Sequence, residues 1–448
     1  MNQPIAAPPK FVSGSILGHV LTMTATGSIG LVAVFLVDVL NLFYISLLGH
    51  KELAAAVGYA GTLLFFVSSL SIGLSIATTA LTSRALGRGD RAQARKLAGA
   101  SLVLMAAIVA LVAALLYPWL DVFLRLLGAS GETAVLAGRF MRMVLPAAPL
   151  LGLAMSLGAL LRSAGDARRA MTVTLSGGAA AAVLDPLFIF GLGLGLDGAA
   201  IAVWLARSVM LGVGLHALLR VHGLFAWPDL DTLRQTLRPF LAIGLPAVLT
   251  QVATPVGNTF VTAAIAPFGD NAVAGWAVVV RLIPVSFVVL FALSGSIGPI
   301  LGQNLGAKRY DRLREAVQQS LRVTVVYVLV VWLVLALASG LIGDAFKASG
   351  EARELIVFFC QFVAASFVFN GALFVANAAF NNLGFALYST ALNWGRSTIG
   401  VVPFIWLGAQ WYGPRGVLAG YGLGVVLFGL LGMLLCFRVL KQIETRAA

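Results

Sequence analysis

Twelve apolar runs, at about 15–46, 53–82, 96–118, 133–161, 169–192, 196–219, 238–266, 271–300, 317–342, 354–382, 386–409 and 416–438, alternate with short charged or Gly/Pro-rich connections. A helix needs about 20 apolar residues to cross a hydrocarbon core. Each run therefore suffices for one crossing, and none shows the two-residue alternation of a barrel strand. The pattern predicts an all-α integral membrane protein with twelve transmembrane helices. An even number of crossings leaves both termini on one side.

The longest polar connection, 221–239, follows the sixth run and reads as a cytoplasmic linker between two six-helix lobes, 1–220 and 240–448. The lobes repeat one another. Leu86-Gly87 returns as Leu305-Gly306, each opening a basic stretch, and Arg95 returns as Arg314. Arg162-Ser163-Ala164-Gly165 returns as Asn381-Asn382-Leu383-Gly384, and Pro186 and Gly198 return as Pro403 and Gly416, all at offsets of 217 to 220 residues. Halves with six spans each begin on the same side. The two bundles are thus expected to be related by a pseudo-two-fold axis along the membrane normal, with a substrate path near mid-membrane.

Composition sharpens this picture through its charges. Of 448 residues 60% are hydrophobic and only 10% charged, where soluble domains carry about 25%. A net charge of +13 would suggest nucleic acid in a soluble chain, but position decides otherwise. Twenty of the 30 basic residues fall on the side of the termini and seven on the other, while Arg207, Arg281 and Arg396 lie inside spans. By the positive-inside rule both termini are cytoplasmic in a multi-pass protein of the cytoplasmic (inner) membrane, and no nucleic-acid partner is expected. Cys360 and Cys436, both in apolar runs, offer neither a disulfide framework nor a metal site. No loop carries the paired aspartates or metal cluster of a membrane transferase, so neither enzyme activity nor a cofactor or metal is expected. The N-terminal stretch lacks a signal-peptide cleavage pattern.

The chemistry is expected where charge is costly. Fifteen of the 17 acidic residues lie in connections or at span ends; Asp38 in the first span and Asp185 in the fifth do not. An intramembrane carboxylate costs about 2.5 to 3.5 kcal/mol on insertion scales and commonly faces a cavity or pathway. Because burial disfavours its charged form, such a group can load and release a proton, and two close together titrate as a pair. At the repeat offset Asp38 becomes Asn258 and Asp185 becomes Val402, so proton chemistry is expected in the first lobe alone. Pro186 is expected to open the helix beside Asp185, and Asn41 shares a helix face with Asp38. In the second lobe Gln251, Thr254, Asn258, Thr259, Asn370 and Asn377, with Arg281 and Arg396, are the candidate cavity residues, and Arg281, which needs a carboxylate, carbonyl or water partner in a half without a deep acid, is expected to point toward a wet cavity or an anionic group. The alternatives for each are polar contacts between helices.

These residues resemble the multidrug and toxin extrusion (MATE) family of the multidrug, oligosaccharidyl-lipid and polysaccharide exporter superfamily. The likeness rests on the two six-span halves, the Leu-Gly-basic stretches after spans two and eight, Gly165-Asp166 after span four, Asp185-Pro186, and Asp197-Gly198-Ala199-Ala200 before span six. Asp38 together with acid-free spans seven and ten is similar to the DinF-type branch, usually proton-coupled; the sodium-coupled NorM-type branch has acids where this chain has Thr254 and Asn370. The resemblance implies a monomeric secondary antiporter exporting amphipathic, often cationic, small molecules in exchange for protons by alternating access, with Asp38 the main proton carrier and Asp185 its partner. A flippase for a lipid-linked saccharide and sodium-coupled antiport are the alternatives. Two features depart from the family pattern: Ala181 stands where an Asn is common, and no proline lies between Pro9 and Pro118, leaving Gly27 and Gly30 to supply any bending of the first helix.

Overall fold

The computed structural model describes residues 9–48 and 51–447, without the side chains of Asp38, Leu42, Ser46, Lys51 and Ala447. The described residues are helical nearly throughout. In the first half run α1 (Ile16–Ser46), α2 (Lys51–Gly87), α3 (Arg91–Leu116), α4 (Leu120–Leu126), α5 (Gly131–Val144), α6 (Ala148–Ser163), α7 (Ala167–Pro186) and α8 (Gly195–His216). In the second run α9 (Leu230–Ile265), α10 (Asp270–Ser286), α11 (Val288–Gly306), α12 (Tyr310–Ala345), α13 (Gly350–Phe358), α14 (Phe367–Leu383), α15 (Ala386–Ser397) and α16 (Val402–Ala447). Among the described residues, eleven helical stretches are long and apolar enough to cross a membrane. The last of them, Ala386–Arg446, holds two crossings.

That stretch turns back at Tyr412 and Gly413, where Gly413 takes φ +60° and ψ −145°. The returning arm lies directly on the outgoing one. A Cβ placed on Gly416 would stand 2.0 Å from the Gly408 carbonyl oxygen, one on Gly420 2.3 Å from that of Phe404, and one on Gly424 1.7 Å from that of Gly400. The contacts step by four residues along both arms in opposite directions, as in an antiparallel pair whose backbones touch. In lipid, where apolar association has no hydrophobic drive, such small-residue seams hold helices together.

The basic connections read as loops are largely helix. Only Arg88, Gly89 and Asp90 separate α2 from α3, and Asp90 caps α3 by accepting from the Gln93 N–H at 2.8 Å. Hydropathy marks where hydrocarbon ends, while a helix continues as long as its N–H groups have carbonyls to meet. The 221–239 linker is corrected for the same reason: Leu230 to Pro239 already belong to α9. Its irregular part is strapped down. Arg91 donates to the His222 carbonyl, Arg95 to that of Phe225 at 3.1 Å, and the Ala226 N–H to the Arg95 carbonyl at 3.1 Å.

The chain forms two compact units, and they part inside helices rather than at the linker. The first is Ile29–Val248 with the described end of Met1–Lys10; the second is Phe11–Ser28 with Leu249–Ala448. In the second unit Gln303, Asn304 and Arg312, which flank the second Leu-Gly-basic stretch, hold the backbone of Phe11. Its N–H donates to Gln303 Oε1 at 2.9 Å, and its carbonyl accepts from Asn304 at 3.1 Å and Arg312 at 3.1 Å.

Candidate functional site

In the first unit the far half of α1 runs parallel to α7. Small residues bring the two together: a Cβ on Gly30 would lie 3.6 Å from Thr174 and one on Gly178 3.3 Å from Val37, and further along Tyr44 meets Phe190 edge-on at 6.2 Å. Between these contacts Asn41 Nδ2 donates to Asp185 Oδ2 at 3.1 Å. Asp185 is 1% exposed, and its Oδ1 has no hydrogen-bond partner among the described residues. A buried carboxylate oxygen whose lone pairs meet no donor is poised to hold a proton, since protonation removes the charge that burial penalises. Pro186 ends α7, and a π-helical turn, Leu187–Gly191, follows it. α7 stays helical through Asp185 to Pro186, so the irregular turn falls after the proline and not in the turn before it, where the opening is expected. Asp38 sits on α1 one turn before Asn41, and its side chain lies outside the described residues.

In the second unit the corresponding helices, α9 and α15, also lie side by side. The Trp394 indole N–H donates to the Leu249 carbonyl at 3.0 Å, and a Cβ on Gly257 would meet Ser397 at 3.1 Å. The polar centre here is a cation. Arg396, 4% exposed, donates through one terminal nitrogen to Asn370 Oδ1 at 3.1 Å and through the other to Thr254 Oγ1 at 2.9 Å. The Tyr421 hydroxyl lies beside the guanidinium. Immediately beyond, α15 ends at Ser397 and the chain is non-helical until α16 resumes at Val402.

The structure thus sorts the predicted residues. Asn41 joins Asp185; Thr254 and Asn370 join each other through Arg396. Gln251 and Asn258, half-buried, lie on the same stripe of α9 as Thr254. Asn377 stands apart, its Oδ1 accepting from Asn393 at 3.0 Å and its carbonyl from Ser389 at 3.2 Å, a buried contact between α14 and α15. Arg281 is exposed on α10, in line with exposed Ala274, Ala277 and Val285, and takes no part in the network. The cation that matters to the second unit is Arg396. Its signal was present in the sequence as a basic residue inside a span of an acid-free half; what decided between it and Arg281 is which face each helix buries.

Opposite charges on repeated helix pairs within a bundle of apolar spans are the architecture of a membrane transporter. A family model described as MatE matches residues 28–187 and again 246–407, two copies that begin 218 residues apart and end 220 apart, the spacing of the repeat. The chain belongs to the MATE family of transporters and is not an enzyme. It is similar to an FAD transporter from Shewanella oneidensis, 28% identical over 96% of this chain and 97% of that protein. It is also similar to the multidrug export protein MepA of Staphylococcus haemolyticus, 21% identical over 98% and 97% of the two chains. Among solved structures, the MATE transporter VcmN of Vibrio cholerae in its bent form superposes with a TM-score of 0.91 at 26% identity, over 96% of this chain and 98% of that one.

Proposed function

We propose that this transporter is a proton-coupled antiporter of the cytoplasmic membrane, its termini cytoplasmic, that expels amphipathic, often cationic, small molecules. The observation that carries the reading is the buried Asp185 with its unpartnered oxygen, held by Asn41 on the helix that also bears Asp38. Protonation of the pair from outside would weaken the Asn41 contact, loosening α1 from α7, and release to the cytoplasm would restore it. One charge moving inward supplies about 2.3 kcal/mol per 100 mV, enough for a cargo gradient of nearly two decades. The multidrug exporter MepA supports the cargo class. In proteoliposomes, an imposed proton gradient is expected to drive ethidium transport by the wild type and not by Asp38→Asn or Asp185→Asn. Undiminished, pH-dependent transport by both variants overturns the proton site, and sodium-driven transport without a proton gradient overturns the ion. A second reading, export of a flavin nucleotide, is favoured by the FAD transporter relative; inhibition of ethidium transport by FAD supports it.

A further inference from the structure

We propose that the second unit carries a recognition site for an anionic group, in which Arg396, held by Thr254 and Asn370, receives a phosphate or carboxylate of the exported molecule.

Three independent features converge there. The guanidinium is almost fully buried in a membrane span, and the seven ion pairs among the described residues do not include it. Leaving a buried cation without a counter-charge is costly. Of its five N–H donors, two are spent on the neutral oxygens of Asn370 and Thr254 and the Tyr421 hydroxyl also bonds to the guanidinium, while Nε has no hydrogen-bond partner among the described residues. The planar fork is thus fixed by its neighbours and retains free donors, the arrangement that binds carboxylate and phosphate best.

The helix itself is broken at this point. Thr398 takes φ −114° and ψ −81° between the end of α15 and the start of α16. Irregular backbone at membrane depth is tolerated only where it is buried in protein or lines a cavity, and in transporters broken spans mark binding sites. Thr254, which holds the buried arginine, is itself exposed.

The repeat supplies the contrast. Arg396 corresponds to Gly178 at 218 residues, and in the first copy the helix pair meets at that glycine by the bare packing of Gly178 on Val37. The same helix pair therefore carries an acid in one unit and a base in the other, about two turns apart along the repeat. A packing role alone would not require a cation where the first copy manages with glycine.

The inference rests on the export reading for its biological use, but the site can be tested without a gradient. Equilibrium binding of riboflavin 5′-phosphate and of riboflavin is measured by fluorescence on the purified protein in nanodiscs of neutral lipid. The phosphate is expected to bind more tightly. Arg396→Gln is expected to weaken it by about tenfold or more, the loss of charge-assisted hydrogen bonds, with riboflavin changed by less than about twofold. Should Arg396→Gln fail to fold, Thr254→Val is the second variant, expected to weaken the phosphate by a few-fold and leave riboflavin alone. Asp185→Asn is expected to bind the phosphate as the wild type does, so loss of proton coupling and loss of the anion site are read separately. Competition by phosphatidylglycerol, and not by phosphatidylcholine, in the wild type but not in Arg396→Gln would identify a lipid headgroup as the anion's source. Equal affinity for the two flavins together with no phosphatidylglycerol competition, or an equal loss of both flavins in Arg396→Gln, overturns the proposal.

Discussion

Asn41 and Asp185 illustrate how little contact a membrane carboxylate is given in this fold. A single amide holds one oxygen, and the other has no hydrogen-bond partner among the described residues. Removing the amide leaves the acid with no donor among the described residues. Asn41→Leu is expected to lower stability by about 1 to 3 kcal/mol, the cost of a buried polar group left unsatisfied, measured as the midpoint of unfolding in detergent. An unchanged midpoint would mean that water already serves the carboxylate. Ala181, one turn before Asp185, supplies no second amide. Neither Asn41 nor Asp185 needed coordinates to be singled out, because each breaks a long apolar run; that they bond to each other did.

At the scale of elements, the glycines do what hydrophobic burial does in water. Gly408, Gly416, Gly420 and Gly424 sit where any Cβ would enter a facing backbone, and backbone cannot yield as a side-chain tip can. Gly424→Ala is expected to destabilise by about 1 to 3 kcal/mol or more through overpacking, whereas Gly58→Ala, with open space around its missing Cβ, should change stability by less than about 0.5 kcal/mol. Thermal unfolding of the two variants side by side checks this; equal effects would show that the seam is not close-packed. The twelve spans were legible from hydropathy, but their ends and breaks were not. The reversal at Tyr412 and Gly413 and the interruption after Ser397 lie within apolar sequence, where nothing in the composition marks a change of direction.

At the scale of the molecule, the polar connections bind each unit together. Asp166 caps α7 through the Arg169 N–H at 3.0 Å and meets the Arg169 side chain at 2.5 Å and His222 Nε2 at 2.9 Å. Partial burial pushes its carboxyl up, but the bonds from the Arg169 backbone and side chain and from His222 together outweigh it and hold the group below the usual carboxylate value. A carboxyl held low in the folded state adds stability above its unfolded value, near pH 4, and that stability is lost as the pH falls through the lower folded value. Asp166→Asn is therefore expected to lower the unfolding temperature at pH 7 and to make less difference near pH 3. A deficit that is the same at both values would assign the effect to geometry rather than to charge.

The amino-acid sequence by itself determined the medium, the number of crossings, the repeat and the identity of the two costly acids. These follow from transfer free energies and chain length, which act residue by residue and leave their mark in composition. Tertiary structure alone decided which polar groups meet: Asp185 with Asn41, Arg396 with Thr254 and Asn370, Arg281 with neither. It also placed the parting of the compact units within α1 and α9 instead of in the linker. The reason is that a lipid-embedded helix presents apolar residues on every face, so its hydrophobic pattern does not tell which face turns inward. Only the close approach of small residues on neighbouring helices sets that rotation.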